Sequence, residues 1–134
     1  MSHYTSVKTH LVSPKHILRA LADLGFNEVE FHKNPVPLVG YMGDPREYQA
    51  QIVIRRKYLG MASNDIGFCR NTDGKYSAVI GDFDAKRFDE YWLNNLSRRY
   101  AYHATKDILI EKGFSLVEEE EQAGEIHLTL RRST

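Results

Sequence analysis

Along the first part of the chain the spacing of apolar residues changes from the period of a strand to that of a helix. From Tyr4 to Val12 polar and apolar residues alternate loosely, which predicts a strand. Ser13-Pro14 then offers a helix cap with proline at the first helical position, and Ile17, Leu18, Leu21 and Leu24 follow at helical spacing until Gly25. A helix over 14–24 is expected. A second strand is expected over 26–32, with Phe26, Val29 and Phe31 as its buried positions. The stretch 34–46 holds three of the four prolines, so part of it reads as loop, with 38–42 able to pair at a sheet edge.

Alternation returns at 49–56, where Ile52 and Ile54 share one face and Gln51, Val53 and Arg55 the other. Two strand-like runs, 65–71 and 75–83, flank Thr72-Asp73-Gly74, and an Asp-Gly step in that position predicts a hairpin. Phe88, Trp92, Leu96, Tyr100, Ala104 and Ile108 recur every fourth residue, so the longest helix is expected over 86–112 with this stripe against a sheet. Runs 114–121 and 125–132 make a last hairpin around Gln122-Ala123-Gly124, in which Ile126, Leu128 and Leu130 alternate with His127, Thr129 and Arg131. Four consecutive glutamates, Glu118 to Glu121, mark its first strand as a solvated edge.

The two halves echo one another. Each reads strand, helix, Gly-Phe, strand, strand, Arg-Arg, with Phe26 and Phe114 preceding Arg55 and Arg131 by 29 and 17 residues. The expected fold is therefore α+β: a mainly antiparallel sheet with two helices on one face, built on a strand-helix-strand-strand pseudo-repeat. Its other face would be open to a partner.

Composition narrows the function classes. With 134 residues and one cysteine, Cys69, the chain supports a single domain, 1–134, with an ample core and no internal disulfide. Basic and acidic residues balance at 18 each, which tells against bulk attraction to nucleic acid or an anionic membrane. The balance hides a mild asymmetry, because residues 1–60 carry 8 basic and 5 acidic groups, net +3, and the remainder is net −3. Self-association of complementary halves is therefore conceivable. No apolar run suits a membrane span or a signal peptide, so a soluble intracellular protein is expected.

Candidate chemistry is sparse. The six histidines fall in different elements without zinc-like spacing, so neither a metal nor a cofactor is expected. Met1-Ser2-His3 has the arrangement of an amino-terminal copper site only while Met1 is retained, and an ordinary tail is the simpler account. The densest cluster is Arg99, Tyr102 and His103, where arginine and histidine stand four apart on one helical face. Phe68 beside Arg70 and Asn71 could stack a ring if that sheet face were exposed, but a core place for Phe68, with Gly67 permitting close backbone approach and Cys69 as a small filler, is the simpler account. Tyr41, between Gly40 and Gly43, sits in a candidate recognition loop that lacks the Gly-Lys-Ser/Thr of a phosphate loop.

Met1-Ser2-His3, the Gly40-Tyr41 loop, Asp65-Ile66-Gly67-Phe68 with Arg70-Asn71, Asp73-Gly74-Lys75-Tyr76, Arg99-Tyr100-Ala101-Tyr102-His103 and Leu128 to Arg132 together resemble the family called hypothetical chloroplast reading frame thirty-five, of cyanobacteria, algal plastids and other bacteria. The resemblance spans nearly the whole chain and departs around 34–46 and 57–64. It implies a small single domain with no assigned reaction, and therefore lends no catalytic role to any residue. The leading expectation is a non-enzymatic protein-interaction or adaptor module with an unknown protein partner. The alternatives are a small-ligand binder or enzyme using Arg99, Tyr102 and His103, and, more weakly, single-stranded nucleic-acid binding through Phe68 and Arg70.

Overall fold

A computed structural model describes residues 3–132, so the expectation placed on Met1-Ser2-His3 lies outside the described residues. In chain order the elements are β1 (Tyr4–Lys8), α1 (Pro14–Asp23), β2 (Glu30–Val39), β3 (Pro45–Ile54), a 3-10 turn (Arg56–Tyr58), β4 (Ile66–Arg70), β5 (Tyr76–Gly81), α2 (Glu90–Glu111), β6 (Phe114–Gln122) and β7 (Glu125–Arg132). β1 to β5 form one antiparallel sheet in the order β1-β5-β4-β3-β2, and β6 and β7 form a second sheet of two strands. The α+β class holds, with both helices on one face of the larger sheet.

Pairing explains how the main core forms. Ile52, Phe68 and Ala78 stand directly opposite one another across β3, β4 and β5, so their side chains leave the same face. They bury with Ile17, Ala20 and Leu21 of α1 and with Phe88 and Leu96 at and within α2. The Ser13 side chain accepts from the His16 N–H and starts α1, and Asp89 accepts from the Trp92 N–H and starts α2.

The opposite face is not open. Val53, Gly67 and Val79 lie in register there, and Tyr4, Leu38, Ala50, Val53 and Val79 form a second buried cluster. Ala50 and Ile52 are two residues apart yet belong to opposite clusters, so the strand's alternation breaks at Gln51, whose side-chain oxygen accepts from the Arg70 N–H. That break folds the β2–β3 hairpin across the sheet until Tyr48 reaches Tyr4 on the far strand, with ring centroids 5.3 Å apart. Gly67 makes the crossing feasible, because a Cβ there would lie 2.5 Å from the Ala50 Cβ and 3.0 Å from Leu38.

Two other expectations are amended. In the Pro-rich stretch only 40–44 is loop, since Pro35 and Pro37 sit on the edge strand β2, whose register shifts between Phe31 and Val36 and between Pro37 and Val39 accommodate their missing donors. The order of elements recurs as expected, but the second hairpin does not join the sheet. α1 has 10 residues and returns the chain to the sheet, whereas α2 has 22 and spans roughly 33 Å, carrying the chain past it. The hairpin instead lies along α2, where Ile126 and Leu128 face Ala101, Tyr102 and Thr105.

Gly67→Ala should destabilise the protein by about 1–3 kcal/mol through overpacking against Ala50 and Leu38. Urea unfolding checks this, and an unchanged midpoint would mean that the hairpin does not cross the sheet.

Candidate interaction site

β1 is an outer strand of the larger sheet, and a groove of about 540 Å³ runs between it and the first turns of α2. Val7, Ile80, Phe88 and Leu93 line its floor, and Lys8 and Asp89 stand at its margins. The strand's inner bonds are in phase with odd-numbered residues, since Asp82 N–H donates to the His3 carbonyl at 2.8 Å and Thr9 N–H to the Tyr76 carbonyl at 3.1 Å. Antiparallel pairing alternates, so the backbone groups of Ser6 and Lys8 point to the outer edge, while the Tyr4 carbonyl at its start accepts from the Tyr48 hydroxyl at 3.5 Å. The side chains of Thr5 and Val7 lie on the groove side. Donors, acceptors and an apolar channel thus run side by side.

The end of the sheet beside this edge is held by buried polar residues. Asp65 is fully buried, and its carboxylate accepts from the backbone N–H groups of Val39 and Arg56 at 2.8 and 2.7 Å and from the Arg55 guanidinium at 2.8 Å. Its carbonyl accepts from the Tyr4 hydroxyl at 3.0 Å. Arg55 also grips Glu30 with two bonds, at 2.8 and 2.9 Å, and Glu30 is joined by His32 at 2.7 Å. Arg56 closes the following loop on the carbonyls of Ser63 and Met61. Asn64, also buried, accepts from the Tyr41 N–H and donates its own N–H to Asp84.

Three loops are therefore tied at one node, and they expose Tyr41, Met42, Met61 and Phe83. The node was not visible in the sequence, where Ser63-Asn64-Asp65 is only a polar triplet abutting an apolar strand. Tyr41 was visible, and its half-exposed ring stands on a loop pinned by Asn64 rather than on a loose one.

Arg99, Tyr102 and His103 do come together, as parts of the packing between α2 and its neighbours. Arg99 and His103 both contact one carboxylate oxygen of Asp23 on α1, at 2.7 and 2.6 Å. One turn further, Asp107 accepts from His16 and Arg19. The Tyr100 hydroxyl accepts from the N–H groups of Val12 and Ser13 and caps the entry to α1. Tyr102 points to the other side of α2 and donates to Glu119 at 2.9 Å, with the Arg99 guanidinium over its ring. A register shift between Leu116 and Glu118 turns Glu119 and Glu121 toward α2, where Glu121 meets Arg98. Half of the glutamate run is thereby engaged by the helix instead of being a solvated edge.

Phe68, Arg70 and Asn71 separate. Phe68 is wholly buried in the main core, which agrees with its simpler reading as a core residue and overturns the alternative of an exposed ring-stacking face. Arg70 lines a different cleft, of about 340 Å³, with Phe31, Lys33, Gln51 and Tyr76. The Asn71 amide donates to the Ser77 hydroxyl at 2.9 Å. Among the described residues no three His, Cys, Asp or Glu side chains gather as a metal would require.

Electrostatics follow the contacts. The Arg55 bonds hold Glu30 down to about 2, against the cost of its partial burial. Burial works against ionisation of Asp23, but its bonds to Arg99 and His103 prevail and lower its pKa, and the His16 bond lowers that of Asp107. Burial alone pushes the Cys69 thiol up, which disfavours the nucleophilic thiolate.

These features define a small α+β domain held by internal ion pairs, with an open strand edge beside an apolar groove. The chain belongs to the family described as "Protein of unknown function (DUF1257)", which matches residues 20–129. It is 31% identical to the "Uncharacterized protein ycf35" of Cyanophora paradoxa over 134 residues, and 27% identical to that of Pyropia yezoensis over 138, each covering 98% of both chains. The family resemblance expected from the motifs is thus established. No solved structure matches it. None of the described helices is long and apolar enough to cross a membrane.

Because Glu30, Asp23 and Asp107 are all held below their ordinary values, the unfolded chain binds more protons than the folded one in acid. Their stabilisation is complete above about pH 4.5 and is lost as pH falls toward 2. Urea midpoints across that range should fall for the wild type and fall less for Glu30→Gln; parallel curves would show that the Arg55–Glu30 pair does not contribute. Asp65→Asn should cost about 3 kcal/mol, since it leaves the buried end of Arg55 and two backbone donors short of a full acceptor set. Chemical denaturation at neutral pH measures that loss.

Proposed function

We propose that the protein is a non-enzymatic interaction module that takes up an extended segment of a partner protein along β1. The carrying observation is the juxtaposition of outward backbone groups at Ser6 and Lys8 with the apolar groove lined by Val7, Ile80, Phe88 and Leu93. An added strand would place alternate side chains over Phe88 and Leu93, so backbone bonds supply affinity and the groove selects apolar residues. Contrast with the opposite edge supports the choice. β2 carries Pro35, Pro37 and two register shifts, which blunt it against pairing, whereas β1 keeps an unbroken five-residue register and contains no proline.

A catalytic reading of Arg99, Tyr102 and His103 has less support. Asp23 engages both Arg99 and His103, Glu119 engages Tyr102, and Arg70 lines a separate cleft. The groups able to move protons are engaged in joining elements, and Tyr102 and Arg70 line different clefts.

Ser6→Pro tests the proposal, because it removes an outward N–H while leaving the bonds to β5 intact. Peptides selected from a random displayed library on the wild-type chain should show apolar residues at every second position. Ser6→Pro should bind them at least about tenfold more weakly with Tm shifted by less than about 3 °C. Equal binding by the variant, or selection of peptides without that alternation, would reject β1 as the docking edge.

A further inference from the structure

The second sheet is incomplete in a way that specifies its own complement. β6 and β7 are a two-stranded hairpin that packs on α2 with its apolar residues only half buried, so a further strand would add to the cover that the helix supplies. We propose that two copies of this chain associate through β7, antiparallel about Leu128, into a continuous four-stranded sheet β6-β7-β7-β6.

Three independent features of β7 meet in that register. The first is hydrogen bonding. The turn at Ala123-Gly124 has both central residues at positive φ, 49° and 81°, as a two-residue type I′ hairpin requires. Gln122 and Glu125, which flank it, are then a hydrogen-bonded pair, so Glu125 and His127 bond inward to β6. Ile126, Leu128 and Leu130 consequently direct their backbone groups outward. Pairing about Leu128 sets Leu128 against the same residue of the second copy and Ile126 against Leu130 of the second copy, all of them residues with outward groups.

The second feature is the side chains. Antiparallel pairing in an even register keeps like faces together, so Ile126, Leu128 and Leu130 of both copies form one apolar strip on the face toward α2. The third feature is charge. On the other face the same register places Glu125 opposite Arg131 of the second copy, and by symmetry Arg131 opposite Glu125, which gives two opposite-charge cross-strand pairs. Within one chain these residues have other neighbours, Gln122 and Ser115 respectively. Glu125 also has His127 beside it on the same strand, at 3.4 Å, but an arginine faces it across a strand pair only between copies.

The other edge argues the same way by exclusion. Pairing through β6 would align Glu118 to Glu121 with the same run of the second copy, and the register shift after Leu116 interrupts that strand. β7 has neither a like-charge run nor a proline. The symmetric contact closes at two copies.

The test is sedimentation velocity of the purified chain over a concentration series at low and physiological salt, and it does not depend on the β1 reading. The wild type should be a dimer, and Glu125→Arg and Arg131→Glu alone should each weaken it roughly tenfold, since each turns two attractive pairs into repulsive ones. The double variant should regain wild-type association, a rescue that a role within one monomer would not produce. Amide exchange at residues 126, 128 and 130 should be slow in the dimer and faster in the single variants, while circular-dichroism melts confirm that both fold. A monomer at all concentrations, a dimer indifferent to both single swaps, single-swap losses without rescue, or open-ended oligomers would each overturn the proposal.

Discussion

A single buried carboxylate sets the conditions under which the larger sheet can close. Asp65 opens β4 without exposure to water, and a charge in that position is tolerable only if its lone pairs are filled. The donors come from three directions: the Val39 N–H at the end of β2, the Arg56 N–H after β3, and the Arg55 guanidinium. Tyr4 of β1 adds its hydroxyl to the Asp65 carbonyl. The returning β2–β3 hairpin and the placement of β1 therefore depend on one another. The crossing over Gly67 brings Val39 to the carboxylate, and the carboxylate in turn holds the crossing, so each half of the arrangement supports the other.

The same economy explains why the residues with the most evident chemistry are engaged in structure. α1 buries only Ile17, Ala20 and Leu21, too narrow an apolar stripe to fix its angle against a helix twice its length. Polar pairs supplement the stripe at successive turns of α2: Arg99 and His103 on Asp23, the Tyr100 hydroxyl on the entry to α1, and His16 with Arg19 on Asp107. Tyr102, on the flank of α2 away from Asp23, does the corresponding work for the second hairpin through Glu119. A cluster of arginine, tyrosine and histidine at helical spacing serves here as a junction between two neighbours of one helix.

With these polar side chains engaged in structure, the strand edges stand out among the remaining surfaces. The sheets end on four edges, and two of them are blunted in recognisable ways, β2 by prolines and register shifts and β6 by glutamates and a bulge. β1 and β7 carry no such protection. They differ in what stands beside them: an apolar groove large enough for foreign side chains at β1, and at β7 a charge pattern complementary to itself. A module with one edge for a partner and another for its own copy would bring two partner segments to one assembly.

The pattern of the chain was sufficient for the local elements and for the class. Period-four recurrence from Phe88 to Tyr100 located α2, Ser13-Pro14 located the start of α1, and Asp73-Gly74 located the central hairpin, because each depends on the preferences of neighbouring residues. The motifs also sufficed to place the chain in its family. What required the tertiary structure was every property that depends on residues far apart in sequence. Strand character at Pro35 and Pro37 follows from β2 being an edge, burial of Phe68 from the helices above it, and loss of the open sheet face from a break at Gln51 that no local signal marks. The groove exists only because β1 and α2, some eighty residues apart, border one another, and the second sheet stands alone only because α2 is too long to return the chain to the first. Short-range propensity is written residue by residue, whereas edges, faces and buried charges are defined by what the rest of the chain leaves uncovered.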